Sequence, residues 1–411
     1  MSISVVPNKL DAQGQTSSNS QISSIPEPSL PKSTDTGIGS RSQDDLSRNV
    51  FGVLGIPLDA LELEALLERI DTAVRCRTPY LLSTPNVNFL MTSRSDEDFR
   101  ESLLKSDLCP VDGMAMVWIA RLLGVPIQRR LSGSDIFDAL RSRNNVGDKL
   151  KVFLFGGSDG IADAVSESLN AGAAGMACVG ALNPGFGSVA EMSTDPILKI
   201  INSRSADLLT VFLSARKAQG WLLQNHDRVK VPVRAQFGAT INLQAGIIKR
   251  APLLVQRMGF EWLWRVKEEP YLWRRYWKDG CGLLYLVATC VLPLSAGQIW
   301  KGLTGIGKND GLIIERREDT GAVGIWLTGA AVAEYIETAT PCFRAALEAK
   351  KPVVIDLSQI STIDPRFFGL LLMLRKQLLS RGDRLTFSGV KRRTKKIFRM
   401  NGFGFLLDPI L

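Results

Sequence analysis

The chain has almost no histidine and no clustered cysteine. Its 411 residues include a single histidine, His226, and six cysteines without any Cys-x-x-Cys pair. This composition nearly excludes a histidine-based catalytic triad or a His-rich metal site, and it argues against a zinc site or a disulfide framework. Scattered cysteines fit a reducing compartment. Acid–base chemistry is therefore left to carboxylates, or to Lys, Tyr or Cys.

The N-terminal residues lack a secretory signal pattern, and the stretch 281–294 lacks the length of a membrane-spanning helix. Residues 1–48 are rich in Ser, Gln, Pro and Asp and show neither a secretory signal pattern nor apolar periodicity, which predicts a disordered tail. The uncharged stretch CGLLYLVATCVLPL (281–294) has fourteen residues and contains Pro293. A membrane-spanning helix needs about 20 apolar residues, so we expect an interfacial or core-packed helix there.

Positive charge is abundant and unevenly distributed. Fifty Lys and Arg against 41 Asp and Glu give a net charge of +9, which suits an anionic partner such as nucleic acid, phospholipid or a phosphorylated substrate. Residues 249–278 combine a local excess of basic residues with half of the eight tryptophans: Trp262, Trp264, Trp273 and Trp277. Because the continuation is apolar and Trp prefers membrane interfaces, we predict a membrane-proximal appendage over 256–300 and no nucleic-acid partner.

The sequence pattern of the remaining chain predicts two α/β domains. Over residues 49–255, buried apolar runs such as KVFLFGG (151–157) alternate with helical periodicity, which predicts a Rossmann-like parallel sheet covered on both faces. After a glycine-containing linker at 301–312, residues 313–411 repeat the alternation as a small βαβα domain.

Candidate ligand-binding residues lie where parallel strands end. Gly156 and Gly157 precede a helix whose free N–H groups can hold phosphate, although a tight turn favours glycine for steric reasons alone. Asp112 is either the N-cap of the following helix or a buried carboxylate with a chemical role. Arg130 is either a solvated surface residue or the counter-charge of a carboxylate or phosphate. Asp96-Glu97-Asp98 matches a metal-binding Asp-x-Asp, but at a helix start it favours capping, with Ser95 as the expected N-cap.

Several motifs, taken in their joint order and spacing, resemble the WecG/TagA/CpsF glycosyltransferases of family 26. They cover about residues 50–280 and are TPN (84–86), DGMAMVWIARLLG (112–124), RLSGSD (130–135), VFLFGG (152–157), ADLL (206–209), AGIIKRAP (245–252) and GFEWLWR (259–265).

The resemblance implies an activity and a set of site residues. The family transfers an N-acetylmannosamine-type or related sugar from a UDP-sugar to a polyprenyl-diphosphate-linked acceptor at the cytoplasmic membrane face, by an inverting reaction that needs no metal or other cofactor. Asp112 then matches the general base, Thr84 and Asn86 line its pocket, and Arg130 matches the arginine that stabilises the diphosphate. The further substrate-binding residues expected on this basis are Gly156, Gly157, Asn183, Lys217 and Arg250.

The chain departs from the family pattern in two places. Where the family has G-x-P-K-Q-E-x-W, residues 214–221 keep Lys217 and Trp221 but carry Ala218 and Gln219. Where the family has Phe-Asp, this chain has Ile241-Asn242. Both departures remove polar groups that the resemblance places at the donor.

The C-terminal region resembles a STAS domain (sulfate transporter and anti-sigma factor antagonist). The resemblance lies in VVIDLSQISTIDPRFFGLLLMLRKQLLSRGDRLTFSGV, within residues 320–411. In the regulatory branch of that family a Ser or Thr after the Asp accepts phosphate, whereas here Pro365 follows Asp364, so no phospho-switch is expected at this position. Docking, nucleotide sensing and dimerisation stay open as roles, and so does a protein partner.

The sequence as a whole predicts a glycosyltransferase that is peripheral on the inner face of the cell membrane and carries a fused STAS domain. The competing hypothesis is a catalytically degenerate scaffold that acts through its STAS domain. The presence of Asp112, Thr84 and Arg130 together favours the enzyme.

Overall fold

The computed structural model describes residues 2–3, 44–144, 148–304 and 310–408. Most of the predicted tail at 1–48, and residues 305–309 of the predicted linker, lie outside the described residues. The strands are β1 Ser2–Ile3, β2 Val50–Val53, β3 Ile56–Asp59, β4 Tyr80–Leu82, β5 Leu150–Gly156, β6 Met176–Leu182, β7 Leu208–Phe212, β8 Val233–Gln236, β9 Ile313–Glu318, β10 Val323–Ala331, β11 Val353–Ile363 and β12 Leu385–Ser388.

The helices complete two α/β units and the segment between them. They are α1 Leu63–Cys76, α2 Val87–Ser95, α3 Glu97–Leu104, α4 Met114–Leu122, α5 Gly133–Ser142, α6 Ile161–Gly172, α7 Asp195–Ser203, α8 Ala215–Gln224, α9 Thr240–Gln244, α10 Leu253–Arg257, α11 Glu261–Glu268, α12 Trp273–Leu286, α13 Leu292–Thr304, α14 Ile336–Glu348, α15 Pro365–Leu379 and α16 Arg392–Met400.

The first unit is built on a five-stranded sheet with the order β4-β8-β7-β5-β6, in which neighbouring strands are parallel. The central strand β7 is buried at each of its positions, because helices cover both faces of the sheet. The predicted Rossmann-like α/β fold is thus confirmed. Parallel strands place all their carboxyl ends at one edge, which is where the strand-following loops converge.

The second unit contains a sheet with the order β1-β9-β10-β11-β12. Strands β10, β11 and β12 are parallel and connected through α14 and α15, as the predicted βαβα domain requires, whereas β9 runs antiparallel to β10. The sequence analysis missed β9. Its residues Glu315–Glu318 are all charged, which hides the strand pattern and suits a strand near the border of a sheet.

The hairpin β2–β3 belongs to the predicted first domain but packs on the second unit. It lies on α15, where a Cβ added to Gly369 would come within 2.0 Å of the Val50 carbonyl oxygen. A Cβ on Gly52 would likewise lie 2.7 Å from the Phe368 Cβ and from the ring of Phe403. These two glycines allow the hairpin backbone to reach the helix. The two units are therefore packed against each other through this hairpin.

A buried arginine joins the hairpin to the chain segment that precedes it. Arg48, only 2% exposed, donates to Asp45 at 3.0 Å and to Asp59 at 2.8 Å. Asp59 also accepts the Cys109 N–H at 2.6 Å, so this ion network reaches the loop that leads toward Asp112. Charges buried this deeply are tolerated only when they are paired.

Helix α15 extends the same network from the second unit. Arg375 forms a two-pronged ion pair with Glu101 of α3, at 3.0 and 2.9 Å. Lys376 donates to Asp107 at 2.5 Å and to Asp45 at 3.2 Å. The helix that carries the STAS resemblance is therefore bound to the first unit by charge as well as by packing.

A long continuous helical segment connects the two units. Residues Pro270–Trp300 form 31 helical residues that are long and apolar enough, by length and composition, to cross a membrane. The prediction that this region is too short to span a membrane was wrong. Residues 280–300 carry no Asp, Glu, Lys or Arg, and the helix continues to Thr304. The predicted linker at 301–312 accordingly begins inside the helix. A π-helical turn at Val287–Val291 directly precedes α13. Pro293, which has no N–H to donate, lies in the first turn of α13.

We predict that Arg48→Met lowers the free energy of unfolding by about 3–5 kcal/mol, because it leaves Asp45 and Asp59 buried beside an apolar side chain. Chemical denaturation monitored by circular dichroism measures this loss. Arg75→Met on the exposed face of α1 is the matched control and is expected to change stability by less than about 0.5 kcal/mol. Equal effects of the two substitutions would contradict a structural role for the network.

Candidate active site

Asp112 lies in the segment that links the core to α4, beside the loop that follows β4. Its N–H donates to the Pro85 carbonyl at 2.9 Å, and its Oδ2 lies 3.5 Å from Nδ2 of Asn86. Asn86 is itself fixed, because its Oδ1 caps α2 by accepting the Phe89 N–H. The N-cap of α4 is Gly113, with φ of +89°, so Asp112 is not the helix cap. The geometry thus excludes the capping interpretation.

The electrostatic environment of Asp112 is unusual for a carboxylate. Burial raises the pKa of Asp112 to about 7, against the opposing charge of Arg130, while Glu261 and Asp135 contribute to the rise. The hydrogen bond with Asn86 acts in the lowering direction. A carboxyl group with this pKa exchanges its proton near neutral pH, as a general base or acid must.

Arg130 is held by the appendage and is not a solvated surface residue. Its side chain is 13% exposed and pairs with Glu261 of α11. Its Nη2 also donates to Oε1 of Gln256 in α10 at 2.7 Å. Tyr276 of α12 lies on the same side; burial raises its pKa, and the charge of Asp112 adds to the rise. The sequence analysis did not single out Glu261 or Gln256, since neither lies near Asp112 in the chain.

Arg250 and Thr84 occupy the flanks of this cluster. Arg250 pairs with Asp135 and, at 2.6 Å, with Asp138 on α5. Thr84 is buried, and its Oγ1 lies 3.5 Å from the Gln236 carbonyl at the end of β8. It therefore links the carboxyl ends of two neighbouring strands beneath the loop that carries Asn86.

The glycine turn after β5 has a steric explanation. Gly156 and Gly157 have φ of +97° and +92°, and a Cβ on Gly156 would lie 3.0 Å from the Phe212 carbonyl oxygen. The Gly157 N–H donates to that same oxygen at 3.2 Å. The Gly157 N–H is therefore engaged within the fold, and the backbone conformation of this turn accounts for both glycines.

Asn183 and Lys217 lie toward the β6 and β7 side of the same sheet edge. Asn183 bonds to Asp159 in the loop after β5, and Lys217 donates to the Gly187 carbonyl at 2.7 Å. Within the described part of the chain, neither forms a hydrogen bond or ion pair with Asp112. The structure therefore gathers Asp112, Asn86, Arg130 and Arg250 in one cluster with Thr84 beneath, and it leaves Asn183 and Lys217 to the other half of the edge.

Three of the four residues that depart from the family pattern face inward, and the fourth, Asn242, is half-buried. Ala218 and Gln219 are both fully buried, and Nε2 of Gln219 donates to Oγ of Ser83 at 2.9 Å. Oε1 of Gln219 is buried without a hydrogen-bond partner. Ile241 is buried too. Ala218, Gln219 and Ile241 are therefore core residues in this structure, and Gln219 is linked to the candidate site through Ser83, next to Thr84.

The acidic run at residues 96–98 and the single histidine both lie outside the Asp112 cluster. Asp96 caps α3 by accepting the Phe99 N–H at 3.0 Å, which confirms the capping interpretation of Asp96-Glu97-Asp98 but shows that the choice of Ser95 as the cap was wrong. Among the described residues no group of three or more His, Cys, Asp or Glu is placed to hold a metal ion. His226 lies 3.1 Å from Nη1 of Arg234, away from this cluster of residues.

Comparison with protein families identifies this arrangement. The model of the glycosyl transferase WecG/TagA/CpsF family matches residues 51–296, which is more than half of the chain. The chain belongs to the WecG/TagA/CpsF family. It is accordingly a glycosyltransferase. A second model, described as a Mlab STAS domain, matches residues 317–408 and confirms the C-terminal assignment.

Proteins similar to this chain include one from Staphylococcus aureus and one from Bacillus subtilis. A Staphylococcus aureus (strain MW2) protein is 21% identical over 225 residues, covering 54% of this chain and 85% of that protein. A Bacillus subtilis (strain 168) protein is 24% identical over 195 residues, covering 47% of this chain and 74% of that protein. Both are named N-acetylglucosaminyldiphosphoundecaprenol N-acetyl-beta-D-mannosaminyltransferase.

The cluster predicts opposite effects of two substitutions on the pKa of Asp112. Arg130→Met removes the opposing positive charge and leaves Glu261 unpaired, so the pKa is expected to rise above about 7. Glu261→Gln removes a negative charge and is expected to lower it. Carbon-13 NMR titration of the aspartate carboxyl groups measures both shifts. Arg129→Met, at a 70% exposed side chain, is the control, and shifts of the same sign in the first two variants would contradict the assignment.

Proposed function

We propose that this chain transfers an N-acetylmannosamine-type or related sugar from a UDP-sugar to a polyprenyl-diphosphate-linked acceptor in polysaccharide or glycolipid biosynthesis. The observation that carries the proposal is the position of Asp112: its carboxyl group contacts Asn86, and burial raises its pKa to about 7 against the opposing charge of Arg130. The names of the two relatives support the class of sugar and acceptor.

Asp112 acts as the general base in this proposal. Its carboxylate takes the proton of the acceptor hydroxyl as that oxygen bonds to the anomeric carbon and the bond from that carbon to UDP breaks. A single displacement of this kind inverts the anomeric configuration. Proton transfer to a positioned carboxylate contributes roughly 10²–10⁴ in rate.

Arg130 stabilises the charge that develops on the departing UDP. It lies close enough to influence Asp112, yet it is paired with Glu261, so binding of the diphosphate replaces one anionic partner by another. Positive charge from arginine supports a reaction that proceeds without a metal ion. Asn86 orients Asp112, Thr84 shapes the pocket floor, and Arg250 contributes a second cation at its flank.

The donor nucleotide extends along the sheet edge in this proposal. Gly156 and Gly157 lie at the end of β5, Asn183 follows β6, and Lys217 lies in the first turn of α8 after β7. The hydrogen bonds of Asn183 to Asp159 and of Lys217 to the Gly187 carbonyl connect these segments. Those polar groups become available to a ligand only by exchanging their present partners. They are therefore proposed as substrate-binding residues and not as catalytic ones.

The acceptor lipid requires that the enzyme work at a membrane, and we place it on the cytoplasmic face. Residues 249–278 contain eight Lys and Arg against three Glu, and Trp262, Trp273 and Trp277 are exposed. Basic residues gain about 1 kcal/mol each near an anionic leaflet, and tryptophan favours the headgroup region.

The scaffold hypothesis retains one supporting observation. Arg130 and Arg250, the two cations of the cluster, are both neutralised by carboxylates of the chain itself, which leaves no excess positive charge on either of them. A protein that had lost its substrates could keep such a closed network. Turnover decides between the two hypotheses.

We expect Asp112→Asn to reduce kcat/KM by about 10²–10⁴ with little change in UDP binding, because the amide cannot accept the proton. For the wild type, kcat/KM is expected to rise with pH through about 7, since the base works only when its carboxyl group is unprotonated. UDP release from a panel of UDP-sugars, with and without a short-chain polyprenyl-diphosphate-sugar, measures both effects.

Asp98→Asn, at an exposed residue of α3, is the matched control and should leave the rate unchanged. Acceptor-dependent release that disappears only in Asp112→Asn supports the enzyme and identifies the donor. Absence of turnover across the panel, with UDP still bound, would instead support the scaffold.

A further inference from the structure

The long helix between the units presents two opposite faces. One face is docked on the first unit: Asp279, Leu286, Val291 and Ser295 are buried, and Asn88 of α2 donates to Asp279 at 3.0 Å. Near its far end, Gln298 reaches the Leu123 carbonyl after α4 at 3.4 Å. The helix is therefore held against the same globular unit over about six turns.

The other face is apolar and exposed. Its side chains recur at helical spacing and comprise Trp277, Leu284, Tyr285, Ala288, Leu292, Ile299, Trp300 and Leu303. We call these residues the exposed stripe. Leu284, Leu292 and Trp300 are 71%, 52% and 65% exposed, and because the stripe runs continuously along one helix face it differs from singly scattered surface hydrophobic residues.

The contact between the two units restricts how this helix can meet a membrane. A helix that crosses a bilayer once leaves the segments before and after it on opposite sides. Here the preceding unit supplies Glu101 and Asp107, and the following unit supplies Arg375 and Lys376, which bond to them directly. The hairpin β2–β3 also lies on α15. A single crossing is incompatible with these contacts.

We propose that the helix Pro270–Trp300 lies along the surface of an anionic bilayer, with the exposed stripe in the headgroup and upper acyl region and both units on the same side. This inference rests on the membrane association in the proposed function and adds its topology. Amphipathic helices in this orientation bury their apolar face about 5–10 Å deep.

Charge at the start of the helix favours lipid over a second copy of the chain. Arg274, Arg275 and Lys278 are exposed next to Trp273 and Trp277. Joining two copies through the exposed stripe would place these cations in a shared interface without counter-charges from the stripe, whereas an anionic leaflet supplies such charges along the whole helix.

Topology is tested with the full chain in sealed membrane vesicles of both orientations and a membrane-impermeant amine reagent. Lys199 of the first unit and Lys395 of the second are both exposed, and mass spectrometry reports their modification separately. We expect both lysines to be modified in inverted vesicles and neither in right-side-out vesicles. Modification of the two lysines in vesicles of opposite orientation, or absence of the chain from the membrane fraction, would overturn the proposal.

The role of the exposed stripe is tested by flotation with vesicles of phosphatidylcholine and phosphatidylglycerol. The combined variant Leu284→Ser, Leu292→Ser, Trp300→Ser is expected to lower the partition coefficient at least about tenfold. Ile200→Ser, at an exposed apolar residue of α7, is the matched control. A combined variant that binds vesicles as the wild type does while losing self-association would assign the stripe to a second copy and overturn the proposal.

A negative result in these membrane experiments can be distinguished from a failure of the proposed transferase activity. Flotation and lysine modification need no substrate. Turnover of a short-chain acceptor in detergent by the wild-type chain needs no bilayer, and it reports the transferase activity alone.

Discussion

The buried ion network between the first unit and α15 is the constraint on which the position of the site depends. Asp107 accepts the Leu81 N–H of β4 at 2.8 Å and is held from the other side by Lys376. Asp59, paired with Arg48, accepts the N–H of Cys109. The segment that ends at Asp112 is therefore fixed by charges that come partly from the STAS domain. Because burying ions is costly, such a network specifies one arrangement more than it adds stability.

A second electrostatic constraint couples the site to the appendage. Arg130 is paired with Glu261 of α11 and hydrogen-bonded to Gln256 of α10, and its charge lowers the pKa of Asp112. Helices α10 and α11 also expose Leu254 and Trp262. One guanidinium group therefore connects Asp112 to the helices that form the surface of the appendage.

The sequence was sufficient for the features that depend on local patterns. Uninterrupted apolar strands predict a covered parallel sheet, as observed. The family resemblance of the TPN and DGM motifs implies that Asn86 and Asp112 lie together, and their side chains lie 3.5 Å apart. Features that depend on distant residues were not accessible. Glu261 meets Arg130 across 131 positions and Lys376 meets Asp107 across 269, and no local pattern reports such pairs. The misplaced cap at Ser95 is a smaller error of the same kind, because the cap depends on which side chain the backbone N–H finds.

The π-helical turn at Val287–Val291 sets the rotational phase of the long helix. Leu286 and Val291, five residues apart, both face the core, whereas five residues of regular α-helix would turn a side chain well away from it. The wider turn absorbs one additional residue, so that the halves of the helix before and after it keep the same side toward the first unit. Removing a single residue here would convert the wide turn into a regular α-helical turn and keep the two halves in line, whereas removing one residue elsewhere in the helix would rotate the part beyond it by about 100°. The helix thus accommodates one extra residue at this turn while it preserves a single continuous apolar face.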